Sequence, residues 1–180
     1  DASAGTLHTR ASAVYNLAEP GYRIAAGSAI VADWLTITAP GIAHGTAGLL
    51  DLSITVDGEI TKSGNGDAGT LIGVAWGGTA PFDGQDSQGF TTSTSLNDEV
   101  FTFGVPFAFG EEFLFTLFMF STAGTIGVCD EVNDCGETEG TTPFLGSGPG
   151  TGSADFFNTL VLSGLVPKID GIAVANPEFT

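Results

Sequence analysis

The chain has 180 residues, with 4 Lys and Arg against 21 Asp and Glu, a formal net charge of −17. Such a surface repels phosphate backbones and anionic lipid, which excludes nucleic-acid binding and docking on acidic membranes. Hydrophobic residues at 42% and a mean hydropathy of +0.27 exclude a disordered chain and supply the core of one domain, residues 1–180.

Taken in order, the segments alternate with period two or form short β-branched and aromatic runs, broken by Gly, Asn, Asp and Pro. The first expected strand, Leu7 to Leu17, sets Leu7, Thr9, Ala11, Ala13 and Tyr15 on one face. His8, Arg10, Ser12 and Asn16 lie on the other. Ala29 to Thr38 follows, with Ile30 and Trp34 opposite Val31, Leu35 and Ile37. Trp34 and Trp76 both fall inside strand patterns, which predicts core positions for the two indoles. Gly48 to Val56 ends at Asp57-Gly58, a hairpin signal, with Glu59 to Lys62 as the return. Thr70–Trp76, Gly89–Ser95, Glu99–Gly104, Phe113–Ser121, Ser153–Ser163 and Gly171–Ala175 complete the set. Helix-forming Glu, Lys, Gln and Arg are scarce, and β-forming Thr, Val, Ile and Phe are abundant. The pattern predicts an all-β, single-domain β-sandwich of about 8–10 strands, jelly-roll or immunoglobulin-like in topology.

The strand from Phe113 to Phe120 is apolar on both faces: Phe113, Phe115, Leu117 and Met119 on one, Leu114, Phe118 and Phe120 on the other. A sheet with one wet face should alternate polar and apolar. Either a loop covers the outer face of this strand, or Phe118 and Phe120 meet another subunit.

Two long loops are expected, Gly77 to Gln88 and Thr122 to Gly152. The second carries the only cysteines, Cys129 and Cys135, in a stretch without His. Zinc would want four ligands, so a local disulfide is expected, as in an exported protein. A start at Asp1 without a leader fits a processed chain. Hard carboxylate and amide oxygens gathered in loops suit Ca²⁺. The candidate ligands are Asp130, Glu131, Asn133, Asp134 and Glu137 around the cysteines, and Asp83 with Asp86 in the first loop; Asn65 and Asp67 form a third pair. For nucleophilic catalysis the chain offers only His8 and His44 as histidine bases and no G-x-S-x-G turn, so no catalytic residue is assigned.

Several segments resemble secreted bacterial proteins that carry the PEP-CTERM sorting signal. Ser153-Ala154-Asp155-Phe156-Phe157-Asn158-Thr159-Leu160, through Leu165, is similar to their Asn-Thr segment, and Lys168-Ile169-Asp170-Gly171 through Phe179 to the stretch that follows it. Thr102-Phe103-Gly104-Val105-Pro106-Phe107 and Ala32-Asp33-Trp34-Leu35-Thr36-Ile37 also look like that family's. The likeness runs over residues 29–180, and the sorting signal itself is absent from the sequence. The resemblance implies an extracellular or cell-surface protein associated with exopolysaccharide and biofilm, and it transfers no catalytic set.

The resulting expectation is a non-enzymatic structural protein of a bacterial surface or biofilm matrix. It would assemble with itself into a filament by β-strand exchange, residues 1–17 serving as the donor strand through Leu7, Thr9, Ala11, Ala13 and Tyr15. The alternative is a monomeric module that binds exopolysaccharide or calcium. No transmembrane segment is expected, because the longest strongly apolar run, Phe113–Phe120, is short.

Overall fold

The computed structural model describes residues 6–15, 22–126 and 150–180. Among them run ten strands: β1 (Thr6–Tyr15), β2 (Tyr22–Thr38), β3 (Ala47–Gly64), β4 (Gly66–Trp76), β5 (Asp86–Thr92), β6 (Leu96–Ala108), β7 (Glu112–Ile126), β8 (Gly150–Ile169), β9 (Ile172–Ala173) and β10 (Glu178–Phe179). The described residues contain no helix.

The strands pair as nested antiparallel ribbons, β1 with β8, β2 with β7, β3 with β6 and β4 with β5. Rolling this long ribbon up brings β8 beside β3 and β7 beside β4. Two sheets result, ordered β1-β8-β3-β6 and β10-β2-β7-β4-β5, with β9 attached to β8. This is the strand order of a jelly roll, so of the two sandwich topologies expected it is the jelly roll that forms.

The core lies between the sheets and follows the pleat. On β3 it takes Leu50, Leu52, Ile54 and Val56, all fully buried. From β7 it takes Leu117 and Met119, with Phe113 and Phe115 packed against them. At the closed side Phe90 of β5 stacks on Phe101 of β6, their ring centroids 3.9 Å apart.

Two expectations for the backbone change. Asp57-Gly58 is no hairpin turn: β3 runs on through it, held by β6 and β8 from both sides, and the extra residues of the shifted register lie on those two partners. An added Cβ at Gly58 would sit 2.2 Å from the ring of Phe156, which packs over that backbone. The hairpin forms instead at Asp170-Gly171, where both φ angles are positive (49° and 81°) and β9 folds back on β8. Strand β7 continues to Ile126, beyond the start expected for the second loop.

A single residue, Asn65, separates β3 from β4, yet the two strands lie in different sheets. The turn passes against the start of β8, where a Cβ on Gly66 would lie 1.9 Å from the carbonyl oxygen of Thr151.

Candidate functional site

The segment expected to serve as a donor strand forms β1, at the side of the sandwich bounded by β8 and β2. β1 pairs there in cis with β8, from Thr6 opposite Val161 to Tyr15 opposite Gly150. Small side chains let it settle deeply: Ala11 and Ala13 are buried. On the facing sheet, a Cβ at Gly27 of β2 would sit 2.5 Å from the carbonyl oxygen of Arg10, so the two backbones approach closely. Arg10 stands directly opposite Asp155 and pairs with it at 3.4 Å, on the solvent side. Leu7, Thr9 and Tyr15 lie opposite Leu160, Phe156 and Gly150 in the register.

β8 is longer than β1. Past Val161 it continues to Ile169, and β9 takes up the same edge only at Lys168 and Ile169. The backbone of Leu162–Val166 thus has no strand beside it on that edge among the described residues. Among the described residues β2 likewise pairs on its outer edge only at its end, where Thr36 exchanges backbone hydrogen bonds with Thr180 and Ile37 and Thr38 meet β10. Behind this gap lies an apolar cavity of about 200 Å³, lined by Leu35, Leu52, Phe115, Leu117, Leu162 and Leu165 among others, with Asp33 at its margin. Asp33 is an exposed charge on an edge strand, a feature that discourages uncontrolled strand pairing.

The segment Asp155–Leu160, which carries the family resemblance, has a local structural role. Relative to both β1 and β3, β8 holds extra residues between Phe156 and Leu160, and the register shifts there on each side. Phe156 and Leu160 bracket this bulge and are fully buried.

The outer face of β7 is not left for a second subunit in the way the two-faced apolar pattern allowed. The chain's own 77–85 segment crosses it. Phe82 lies edge-on to Phe118 at 5.4 Å and tilted to Phe120 at 6.0 Å. The Gln85 side-chain carbonyl accepts from the Thr116 hydroxyl at 3.2 Å, and Gly77 N–H donates to the Leu114 carbonyl at 2.9 Å. Phe118 is therefore buried and Phe120 half-buried. What this face exposes is Phe82 itself, with Trp34, Ile30, Ile24 and Leu71. The expectation of a core Trp34 is corrected: it is 45% exposed, because it shares the outward parity of Ile24 and Ile30. Trp76 does pack against the core.

Among the candidate calcium ligands, Asp83 and Asp86 are both exposed. Among the described residues no three of His, Cys, Asp and Glu come together to hold a metal ion. Asp67 is engaged by the ammonium of Lys62 and accepts from the Ala68 N–H at 2.8 Å. Cys129, Asp130, Glu131, Asn133, Asp134, Cys135 and Glu137 lie outside the described residues. Among the described residues no helix is long and apolar enough to cross a membrane. No family model matches the chain, and no curated protein matches it in sequence.

Proposed function

We propose that the chain is a non-enzymatic structural protein of the bacterial surface or biofilm matrix, and that it polymerises by exchanging β1 between copies. One observation carries the reading: β1 is an edge strand, hydrogen-bonded on one side to β8 and separated in sequence from β2 only by residues 16–21. Every contact it makes with β8 and β2 in cis has an identical counterpart in a second copy. Exchange therefore conserves the interactions while linking molecules, and a head-to-tail link of this kind builds an open polymer where its rotation does not close a ring. The ion pair Arg10–Asp155 is solvent-exposed and adds under about 1 kcal/mol, so it marks the register rather than locking the strand. The exported setting rests on the sparse Lys, the cysteine pair and the resemblance over residues 29–180.

A mixing experiment tests it. Arg10 and Asp155 are direct cross-strand partners, whose Cα atoms lie about 4.5–5.5 Å apart in any antiparallel pair and so within disulfide reach. Arg10→Cys protein is mixed with Asp155→Cys protein under oxidation, and the linkage is mapped by mass spectrometry. A disulfide joining position 10 of one chain to position 155 of another is the expected result. Absence of that link, with the double variant closing only within its own chain, refutes exchange.

The second reading, a monomeric exopolysaccharide-binding module, draws on the exposed indole of Trp34. Flat aromatic rings stack on sugar faces, and a titration of Trp34 fluorescence with soluble glycan tests that role.

A further inference from the structure

The inner face of β2 changes its neighbour along its length. At Gly27 its backbone lies against Arg10 of β1. Farther along, Val31 and Asp33 stand directly opposite Leu117 and Phe115 of β7, so they share the inward face of those two core-packed residues. Both line the apolar cavity of about 200 Å³. From the facing sheet Leu50 and Leu52 of β3, both fully buried, line it together with Leu162 and Leu165 of β8. Asp33 is the one charged residue of the lining. One of its carboxylate oxygens accepts from the Trp34 N–H at 2.9 Å. Among the described residues Arg10, Lys62 and Lys168 hold Asp155, Asp67 and Asp51, and none of them holds Asp33. Edge protection accounts for a charge at this position but not for the unfilled space behind it.

We propose that this cavity is a binding site for a small apolar molecule bearing an ammonium group, its body of about six to eight carbons held between the sheets and its charge at Asp33. Native cores leave few voids larger than a water molecule. A leucine-lined cavity of about 150 Å³ stays dry and takes benzene, and this one is larger. The lining also selects the class. Leucine and phenylalanine walls give sugar hydroxyls nothing to bond, and burying those hydroxyls unpaired is costly. A fatty acid would set its carboxylate against that of Asp33. A neutral hydrocarbon gains nothing from Asp33, whereas an ammonium pairs with it, and the field of a chain at −17 gathers cations. β2, β3, β7 and β8 build the site and β1 supplies none of its lining, so the proposal does not rest on strand exchange.

The test is calorimetric titration of the full chain with hexylammonium, hexanol and hexanoate. Hexylammonium should bind up to about fivefold more tightly than hexanol, the reach of an exposed ion pair, and more tightly still than hexanoate. From butylammonium to hexylammonium each added methylene should tighten binding about fourfold, and methylammonium should not bind. Asp33→Asn should erase the preference over hexanol. Glu99→Gln, an equal loss of charge on the far edge strand β6, should keep it. Leu162→Phe and Leu165→Phe, which take up cavity space, should each weaken hexylammonium and hexanol alike by about tenfold or more, with the melting temperature retained. If either variant fails to fold, the chain-length series on the wild type still reads the cavity. Calorimetry counts sites per chain, linked or not, so a failure of strand exchange leaves this readout intact. No binding of hexylammonium, binding indifferent to chain length, or a preference that survives Asp33→Asn overturns the proposal. So does binding of soluble dextran that Leu165→Phe abolishes, which would assign the cavity to glycan.

Discussion

Gly66 sits where the chain leaves one sheet for the other, and its missing side chain is what lets β8 pass. With a Cβ 1.9 Å from a main-chain oxygen, neither partner can yield by rotating a side chain. Gly66→Ala should cost about 3 kcal/mol or more, read as a lowered urea midpoint with unchanged slope. Phe156→Ala, at a fully buried ring packed over Gly58 of β3, should cost about 3–5 kcal/mol by the same measurement. A buried hydroxyl pair, Thr70 with Ser121 at 3.0 Å, ties β4 to β7, and Thr70→Val should cost about 1–2 kcal/mol. These positions differ in how far sequence exposes them. Phe156 is an aromatic residue inside the strand expected at Ser153–Ser163. Gly66 reads as one more turn glycine in Gly-Asn-Gly-Asp, since its constraint comes from Thr151, far away in the chain.

Among the elements, β1 carries the functional reading, and its removal is informative in two ways. Deleting residues 1–17 takes Ala11 and Ala13 out of the core and bares the edge of β8 from Gly150 to Val161. The truncated chain should lose polymer and melt at a lower temperature. A synthetic peptide of residues 1–17 should restore the melting temperature, because a ligand bound only by the folded state stabilises it. A truncated chain that still polymerises would refute exchange of β1. The alternation of β1 was readable, because burial on one side of a strand imposes period two on the residues. Its neighbour was not, because pairing with β8 spans nearly the whole chain and leaves no local trace. Asp57-Gly58 and Asp170-Gly171 make the same point. The dipeptide is the same in both, yet it is continuous strand where β6 and β8 flank it on both sides and a turn where β8 folds back into β9. Likewise the two-faced pattern of β7 announced a covered outer face, but only folding put Phe82 over it.

For the whole molecule, the controlling quantity is charge. Arg10, Lys62 and Lys168 are each paired with a carboxylate, so little positive charge is left to draw acidic surfaces of other copies together. Assembly should therefore rise with ionic strength, as screening shortens like-charge repulsion. It should also rise as pH falls towards the sequence isoelectric point of about 4.1, where net charge vanishes. Light scattering across both series measures this; assembly that weakens with added salt would point to attraction between charges instead.

Length, composition and patterning by themselves determined an acidic, all-β sandwich and how the residues of each strand divide between its two faces. Period two and net charge are properties of the residues, not of the strand order. The absence of Lys and Arg from Ser63 to Pro167 belongs here too, since trypsin has no site there in any conformation. Tertiary structure alone decided the jelly-roll order, the cis seat of β1, the cavity beside its end and the outward turn of Trp34. Each depends on which distant strand lies alongside, and contacts between distant strands are settled only when the ribbon rolls up and buries its apolar faces.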